Sequence, residues 1–218
     1  MPNKKNPNGK IKTSDLETYS KSRIKTELLA NIQALSKEKG RDPFLRGKHL
    51  ENLVNATPAI IETLVSFMSD TLISGKCIRL KRVGSLSIID KAERGGVRNP
   101  KTGEASIVKA HRTVSLRKSR ANRSLQEVGV KETVEYLAKS YPEVNKKGIH
   151  LVYTLFTTLI EKIKEGRTRI EIRTLGAFSP SFVAKKETRN PQDGSKSTKE
   201  AHYRITFKLS TTVHKELN

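Results

Sequence analysis

The segment Arg98-Asn99-Pro100-Lys101-Thr102-Gly103 returns 91 positions later as Arg189-Asn190-Pro191-Gln192-Asp193-Gly194. Proline fixes its own φ and carries no N–H, while asparagine and glycine tolerate the left-handed backbone of a tight turn, so each segment is a hairpin tip by turn chemistry. Two such tips at a fixed interval constrain the chain more than any single helix or strand could. They predict two copies of one unit.

The residues around the tips repeat in the same order. In the first copy Ile24, Leu28, Ile32 and Leu35 have helical spacing, and the helix ends near Gly40; Asp42 to Asn55 reads as a loop with a short helix. Thr57 then caps a new helix with Pro58 at its first position, apolar along Ile61, Leu64, Val65, Met68 and Leu72, and stopped at Gly75. Ile78 and Leu80 alternate with Arg79 and Lys81 as a strand, Gly84 turns into Leu86 and Ile88, and a cationic arm leads to the tip. The chain returns through Ile107 to Leu116, and a short helix over about Ser119 to Val128 closes the unit. The second copy repeats this order: a stripe of Val130, Val134, Leu137 and Tyr141 broken by Pro142, a longer one from Ile149 to Ile163, a stop at Gly166, strands through Ile170, Ile172 and Leu175, then Gly176 and the second tip. Gly84 stands fourteen positions before Arg98, but Gly176 only thirteen before Arg189. A one-residue difference reverses strand faces unless a bulge absorbs it, which predicts a bulge in the first arm.

Charge shows what the duplication serves. The chain carries 43 Lys and Arg against 22 Asp and Glu, a formal charge of +21. Residues 76–123 hold fourteen basic and three acidic groups, net +11, and residues 166–218 eleven and five, net +6; the helical segments 26–75 and 124–165 are net −1 and zero. A merely solubilising charge would spread over every exposed face, so segregation onto strands and arms points to a polyanion-binding face, and nucleic acid is the default partner. Few aromatics stand among the arm cations, which disfavours RNA or single strands read by base stacking and favours a duplex. The first half being the more basic, the two arms are expected to grip unequally and give the bend a direction.

Other functions find less support. The five histidines show no metal-ligand spacing, and neither a glycine-rich phosphate loop nor a nucleophile elbow occurs, so no enzyme, metal, cofactor or small-molecule substrate is expected. The lone Cys77 reads as a packed strand residue. No apolar run reaches membrane-spanning length, and the chain is expected to be cytoplasmic and associated with the nucleoid or genome. Residues 1–20, rich in lysine, proline and glycine, are expected to form a disordered basic tail that touches phosphate or merely solubilises.

The Arg-Asn-Pro-x-x-Gly tip, preceded by Gly84-Ser85-Leu86 in one copy and Gly176-Ala177-Phe178 in the other, resembles the HU and integration host factor group of bacterial histone-like DNA-bending proteins, here in tandem over about 22–128 and 130–218. The resemblance implies an α+β fold of two HU/IHF-like units, 21–128 and 129–218, each with a helical body, antiparallel strands forming a saddle, and a protruding β-ribbon arm. It implies duplex DNA as partner, bent and compacted through the minor groove, with Pro100 and Pro191 wedged between base pairs. Carried over position by position, Arg98, Asn99, Arg189 and Asn190 meet groove edges or phosphate, with Lys101 beside the first tip. Lys91, Arg94, Lys109, Arg112, Lys185, Lys186 and Arg204 line the arms, and Arg117, Lys118, Arg120 and Lys208 hold phosphates along the flanks. Asn-Pro-x-x-Gly would also serve as a plain turn. An alternative role is genome packaging, coating DNA as a filament without site-directed bending.

Three features depart from the family pattern. Arg82 and Thr174 stand where a second glycine is usual, residues of about 40–55 form an insertion, and Glu127-Val128-Gly129-Val130 is almost no linker. A linker this short leaves a single-chain pseudodimer, a unit-exchanged dimer and a higher assembly all open, the first being expected.

Overall fold

The computed structural model describes residues 13–38, 42–98, 102–117, 126–189, 192, 194 and 196–218. Strand β1 (Glu17–Tyr19) leads into helices α1 (Lys21–Glu38) and α2 (Gly47–Ile73), then strands β2 (Cys77–Leu80), β3 (Gly84–Lys91), β4 (Arg94–Arg98), β5 (Ala105–Val108) and β6 (His111–Arg117). Strand β7 (Glu127–Val128) opens the second copy, followed by α3 (Val130–Ser140), α4 (Lys146–Glu161), β8 (Thr168–Ile172), β9 (Gly176–Val183), β10 (Lys186–Arg189), β11 (Lys196–Lys199), β12 (His202–Leu209) and α5 (Thr211–Leu217). Helices and sheets are segregated, as an α+β architecture requires.

Two four-stranded sheets, in the orders β6-β3-β2-β7 and β1-β8-β9-β12, are accompanied by two-stranded ribbons, β4-β5 and β10-β11. The core of each sheet is antiparallel, and each ends in a short parallel strand from the other half of the chain. β1 precedes the first helix pair yet pairs with β8 of the second copy, Glu17 opposite Thr168 and Tyr19 opposite Ile170. β7 precedes the second helix pair yet pairs with β2 of the first, Cys77 opposite Glu127. The copies thus exchange their leading strands, and the short connection at 127–130 is itself part of a sheet.

The helices form because their apolar positions repeat at three and four and find a common interior. Ile24, Leu28 and Ile32 of α1, Leu53, Ile60, Ile61, Leu64, Met68 and Leu72 of α2, and Ile149, Val152, Tyr153, Phe156 and Ile160 of α4 are all fully or almost fully buried, in one cluster with Ile78, Leu86, Ile172 and Phe178 from both sheets. Both copies therefore share a single hydrophobic core. Cys77 belongs to a buried strand position, where burial first and then the nearby Glu127 carboxylate push its thiol pKa up, so it packs rather than reacts.

Several expectations need correction. Thr57 does not cap a helix. α2 runs unbroken from Gly47 to Ile73 with Pro58 inside it, and the buried Thr57 hydroxyl donates back to the Leu53 carbonyl (2.6 Å). Tertiary packing overrides the local break signal: Leu53 lies so close to Gly148 on α4 that a Cβ there would approach its side chain to 3.1 Å, and the Asn52 amide donates to the Glu143 carbonyl (3.0 Å). The extra length at 47–55 is thus the beginning of α2, docked on the second copy, rather than a separate helix. Residues 39–41, where α1 was expected to end, lie outside the described residues. So do residues 119–125 of the expected closing helix; its end, Glu127–Val128, is strand β7. Residues 1–12 of the expected tail also lie outside, while Thr13–Asp15 form a 3-10 turn, Leu16 is buried and Glu17–Tyr19 is β1, so a tail reaching to residue 20 does not hold.

Gly84 and Gly176 are strand-starting residues rather than turn residues, at φ +140 and +150. A Cβ on either would come within 2.3 Å of a backbone carbonyl, that of Arg117 in one copy and Lys208 in the other, so no other residue fits. The turn itself is residues 81–83, where Arg82 takes a left-handed φ of +64, the conformation a glycine would accept at no cost. Thr174 is not among the positive-φ residues. The first copy keeps the glycine-like backbone without the glycine, and the second does not.

Candidate nucleic-acid interface

Each ribbon continues its sheet after a two-residue break on both strands. Ala92-Glu93 and Lys109-Ala110 separate β4-β5 from β3-β6, and Ala184-Lys185 and Glu200-Ala201 separate β10-β11 from β9-β12. Equivalent histidines, His111 and His202, stand where the sheets resume, and each Nδ1–H donates to the carbonyl two residues back, Lys109 and Glu200 respectively (both 3.0 Å). The sequence signal for this pair was available in their separation of 91 positions, the interval of the tips.

The ladders of the two ribbons differ. In the first, Arg94 faces Val108, but the register then shifts before Val97 faces Ser106 and Arg98 faces Ala105. Gly95 and Gly96 occupy the shift, Gly96 at φ +73. This is the bulge that the one-residue spacing difference predicts. The second ribbon is regular over four pairs, Lys186–Lys199, Glu187–Thr198, Thr188–Ser197 and Arg189–Lys196. Two of those pairs set cation directly against cation, an arrangement that destabilises a hairpin in isolation. Lys196 and Lys199 were not among the sequence-derived site residues; strand register, invisible before the fold, pairs them with Lys186 and Arg189.

The structure brings the other expected cations to the same parts of the molecule. Arg94 and Arg98 lie exposed on β4, Lys186 and Arg189 on β10, and Lys109 and Lys185 in the breaks at the ribbon roots. Lys91, half-buried, ends β3 opposite His111; Arg112 and Arg117 lie exposed on β6, and Arg204 and Lys208 on β12. Two carry counter-charges, Arg112 on Asp90 (3.3 Å) and Lys185 on Glu200 (3.0 Å), both exposed pairs of small worth. Arg94, Arg98, Lys109, Arg117, Lys186, Arg189, Lys196, Lys199, Arg204 and Lys208 make no ion pair with any described residue. Pro100, Pro191, Asn99, Asn190, Lys101, Lys118 and Arg120 lie outside the described residues.

By contrast, the helical body balances its charges. Lys25 (2.5 Å) and Lys21 hold the Glu62 carboxyl below its usual range, Lys146 pairs with Glu135 (3.5 Å), and Lys164 with Glu161 (3.0 Å). Among the described residues, no three His, Cys, Asp or Glu side chains converge as a metal site requires, and no helix is long and apolar enough to cross a membrane.

A family model described as bacterial DNA-binding protein matches the chain twice, over residues 48–125 and 130–218. The chain belongs to that family. Its relatives include the integration host factor alpha subunit of Rhodobacter capsulatus, 38% identical over 65 residues, covering 30% of this chain and 64% of the relative. The alpha subunit of Psychrobacter cryohalolentis is 38% identical over 74 residues, 32% of this chain and 74% of the relative. That of Burkholderia pseudomallei is 30% identical over 115 residues, 53% of this chain and 84% of the relative. The chain spans about two thirds of the length of the first of these. The HU and integration host factor resemblance carried by the two tips is thereby shown. The first match begins at residue 48, at the start of α2, so β1 and α1 lie outside it, although the resemblance was expected from residue 22.

Proposed function

We propose that the chain is a non-enzymatic architectural protein that binds duplex DNA and bends it through the minor groove. The observation that carries this reading is the second ribbon, where Lys186 faces Lys199 and Arg189 faces Lys196. Two opposed like-charge pairs on an isolated two-stranded ladder are a cost in free solution and an asset only against a polyanion. Family membership and the printed names of the relatives support the same partner.

In this reading the two units, expected at 21–128 and 129–218 and led in the fold by β1 and β7, act as one pseudodimer in a single chain, supported by the shared core and by the exchange of those two leading strands. The sheets form the saddle beneath the DNA and the ribbons are the arms. Pro100 and Pro191 at the tips wedge between base pairs, where a rigid ring without an N–H buries no unpaired donor. Arg98, Asn99, Lys101, Arg189 and Asn190 meet the groove. Lys91, Arg94, Lys109, Arg112, Lys185, Lys186 and Arg204 follow the phosphates along the arms, and Arg117, Lys118, Arg120 and Lys208 along the flanks. Unstacking a step costs a few kcal/mol, which the added phosphate contacts of bent DNA must exceed. The place of action is the nucleoid.

Titration of duplex and single strands over a range of salt tests the reading. Tighter binding to duplex, with log affinity falling linearly in log salt, is expected; a flat salt dependence or preference for single strands contradicts it.

A further inference from the structure

The two ribbons are held at their roots by different parts of the molecule. β6 is an edge strand of the first sheet, and His111 and Arg112 are its first residues after the break that leads to the first ribbon. An edge strand leaves alternate backbone groups without a ladder partner. At Arg112 the partner is a side chain from the other copy: the Arg112 N–H donates to Asn218 Oδ1, and Asn218 Nδ2–H donates to the Arg112 carbonyl (3.1 Å). One carboxamide makes both bonds that a neighbouring strand would make.

That carboxamide is itself held in place. Its Nδ2 also donates to the His214 carbonyl one helical turn back (2.8 Å), and the His214 ring meets the His111 ring edge to face, with 5.9 Å between centroids. α5 in turn is anchored by Val213 and Leu217, both buried in the shared core, and Ser210 caps its first turn by accepting from the Val213 N–H (3.3 Å). The second root is held otherwise. Tyr203 stands 91 positions after Arg112, and its ring lies on Phe182 (5.4 Å) and so near Gly166 that a Cβ there would approach it to 2.4 Å. Both neighbours belong to the second copy, so these contacts seat the second root within its own copy, whereas the first root is seated on the other.

We infer that Asn218 is a positioning residue for the first ribbon: by bonding to Arg112 it fastens the root to α5 of the second copy, and so fixes the angle at which that ribbon meets duplex. The breaks at Ala92-Glu93 and Lys109-Ala110 interrupt the ladder, so the direction of the ribbon is set by the residues that resume it. Arg112 is among them, and two hydrogen bonds on its outer side resist the sideways swing that an unpaired edge would allow. The role in bending rests on the duplex-binding reading above; the seating of the ribbon does not.

The test compares the full chain with Asn218→Ala, a change at an exposed position that leaves Val213 and Leu217 in the core. Spin labels at Glu104→Cys beside the first ribbon and Lys131→Cys on α3, with the buried Cys77 left in place, read the distance distribution without DNA. Labels at Glu187→Cys and Lys131→Cys read that of the second ribbon. The expected result is a broader distribution for the first ribbon alone, with amide exchange at Arg112 faster by about 5-fold and thermal unfolding unchanged. Energy transfer between the ends of a bound duplex should rise less than with the unaltered chain. A first-ribbon distribution that does not change, one that broadens equally in both ribbons, or an unchanged bend in a chain that does bend duplex overturns the inference. If the first ribbon alone broadens but the unaltered chain does not bend duplex, the seating stands and the proposed function falls.

Discussion

The two ribbons are copies of one element that solve the same problem with different chemistry. The first is bent at Gly95-Gly96, sets its cations Arg94 and Arg98 against Val108 and Ala105, and exposes Ile107 (66%). The second is regular and sets four cations against one another. Summed charge makes the first half the more basic, but the excess lies mainly in its sheet and flanks, while the second ribbon sets its cations directly opposite one another. The lesson is that net charge locates a binding surface, and pairing decides how forcefully each part of it seeks an anion.

Removing charge from each ribbon in turn should separate them most. Lys186, Arg189, Lys196 and Lys199 changed to glutamine are expected to lower the salt slope by about 3 to 4 and weaken binding at low salt most. Arg94→Gln with Arg98→Gln should lower it by about 2. Equal losses in a salt titration would remove the distinction. The same second-ribbon variant should also be the more stable without DNA, because two repulsive pairs are gone, by roughly 0.2–1 kcal/mol per pair. Chemical denaturation reads this directly.

Much of this was legible in the sequence, for identifiable reasons. Gly84 and Gly176 stood out as a matched pair, although read as turn residues rather than strand starts, and the spacing between glycine and tip foretold the bulge because strands have a strict period of two. Leu28, Met68 and Ile149 were placed in the core by periodicity alone. What was hidden depends on partners distant in sequence. β1 and β7 are three and two residues long, too short for any alternation to show, and exist because an edge from the other copy is open to them. α2 passes through Pro58 because Leu53 and Asn52 have a surface on the second copy to meet, which no local propensity encodes. The cation pairs of the second ribbon required its register.

The bulge gives a smaller test of the first ribbon. Gly96→Ala meets no neighbour within 4 Å but must hold φ +73, so a loss of about 1–2 kcal/mol in ribbon order is expected, read as faster amide exchange on β4 and β5. No equivalent change is expected in β10 and β11, and exchange that rises in both ribbons would contradict their independence.

The shared core gives the smallest effect, on the frame that holds the two ribbons together. Tyr153 of α4 is fully buried and donates its hydroxyl to the Arg79 carbonyl of β2 (3.0 Å), and burial raises its pKa to about 12. The neutral phenol is favoured in the folded state, so its contribution is complete below the unfolded value near 10 and is lost as pH rises through 12. Tyr153→Phe should cost about 1 kcal/mol at neutral pH, and should flatten the alkaline fall in stability between pH 10 and 12. An unaltered alkaline limb in denaturation curves would deny that this bond joins the copies.

The central claim is that one chain bends a duplex with two wedged tips. Fluorescence transfer between dyes at the ends of a short duplex, with a single 24.4 kDa chain bound as verified by scattering mass, tests it most directly. The account predicts increased transfer on binding, reduced partly by Pro100→Ala or Pro191→Ala and most by both, with affinity changed less than the bend. Transfer unchanged on binding, or unchanged by the double substitution, would contradict it.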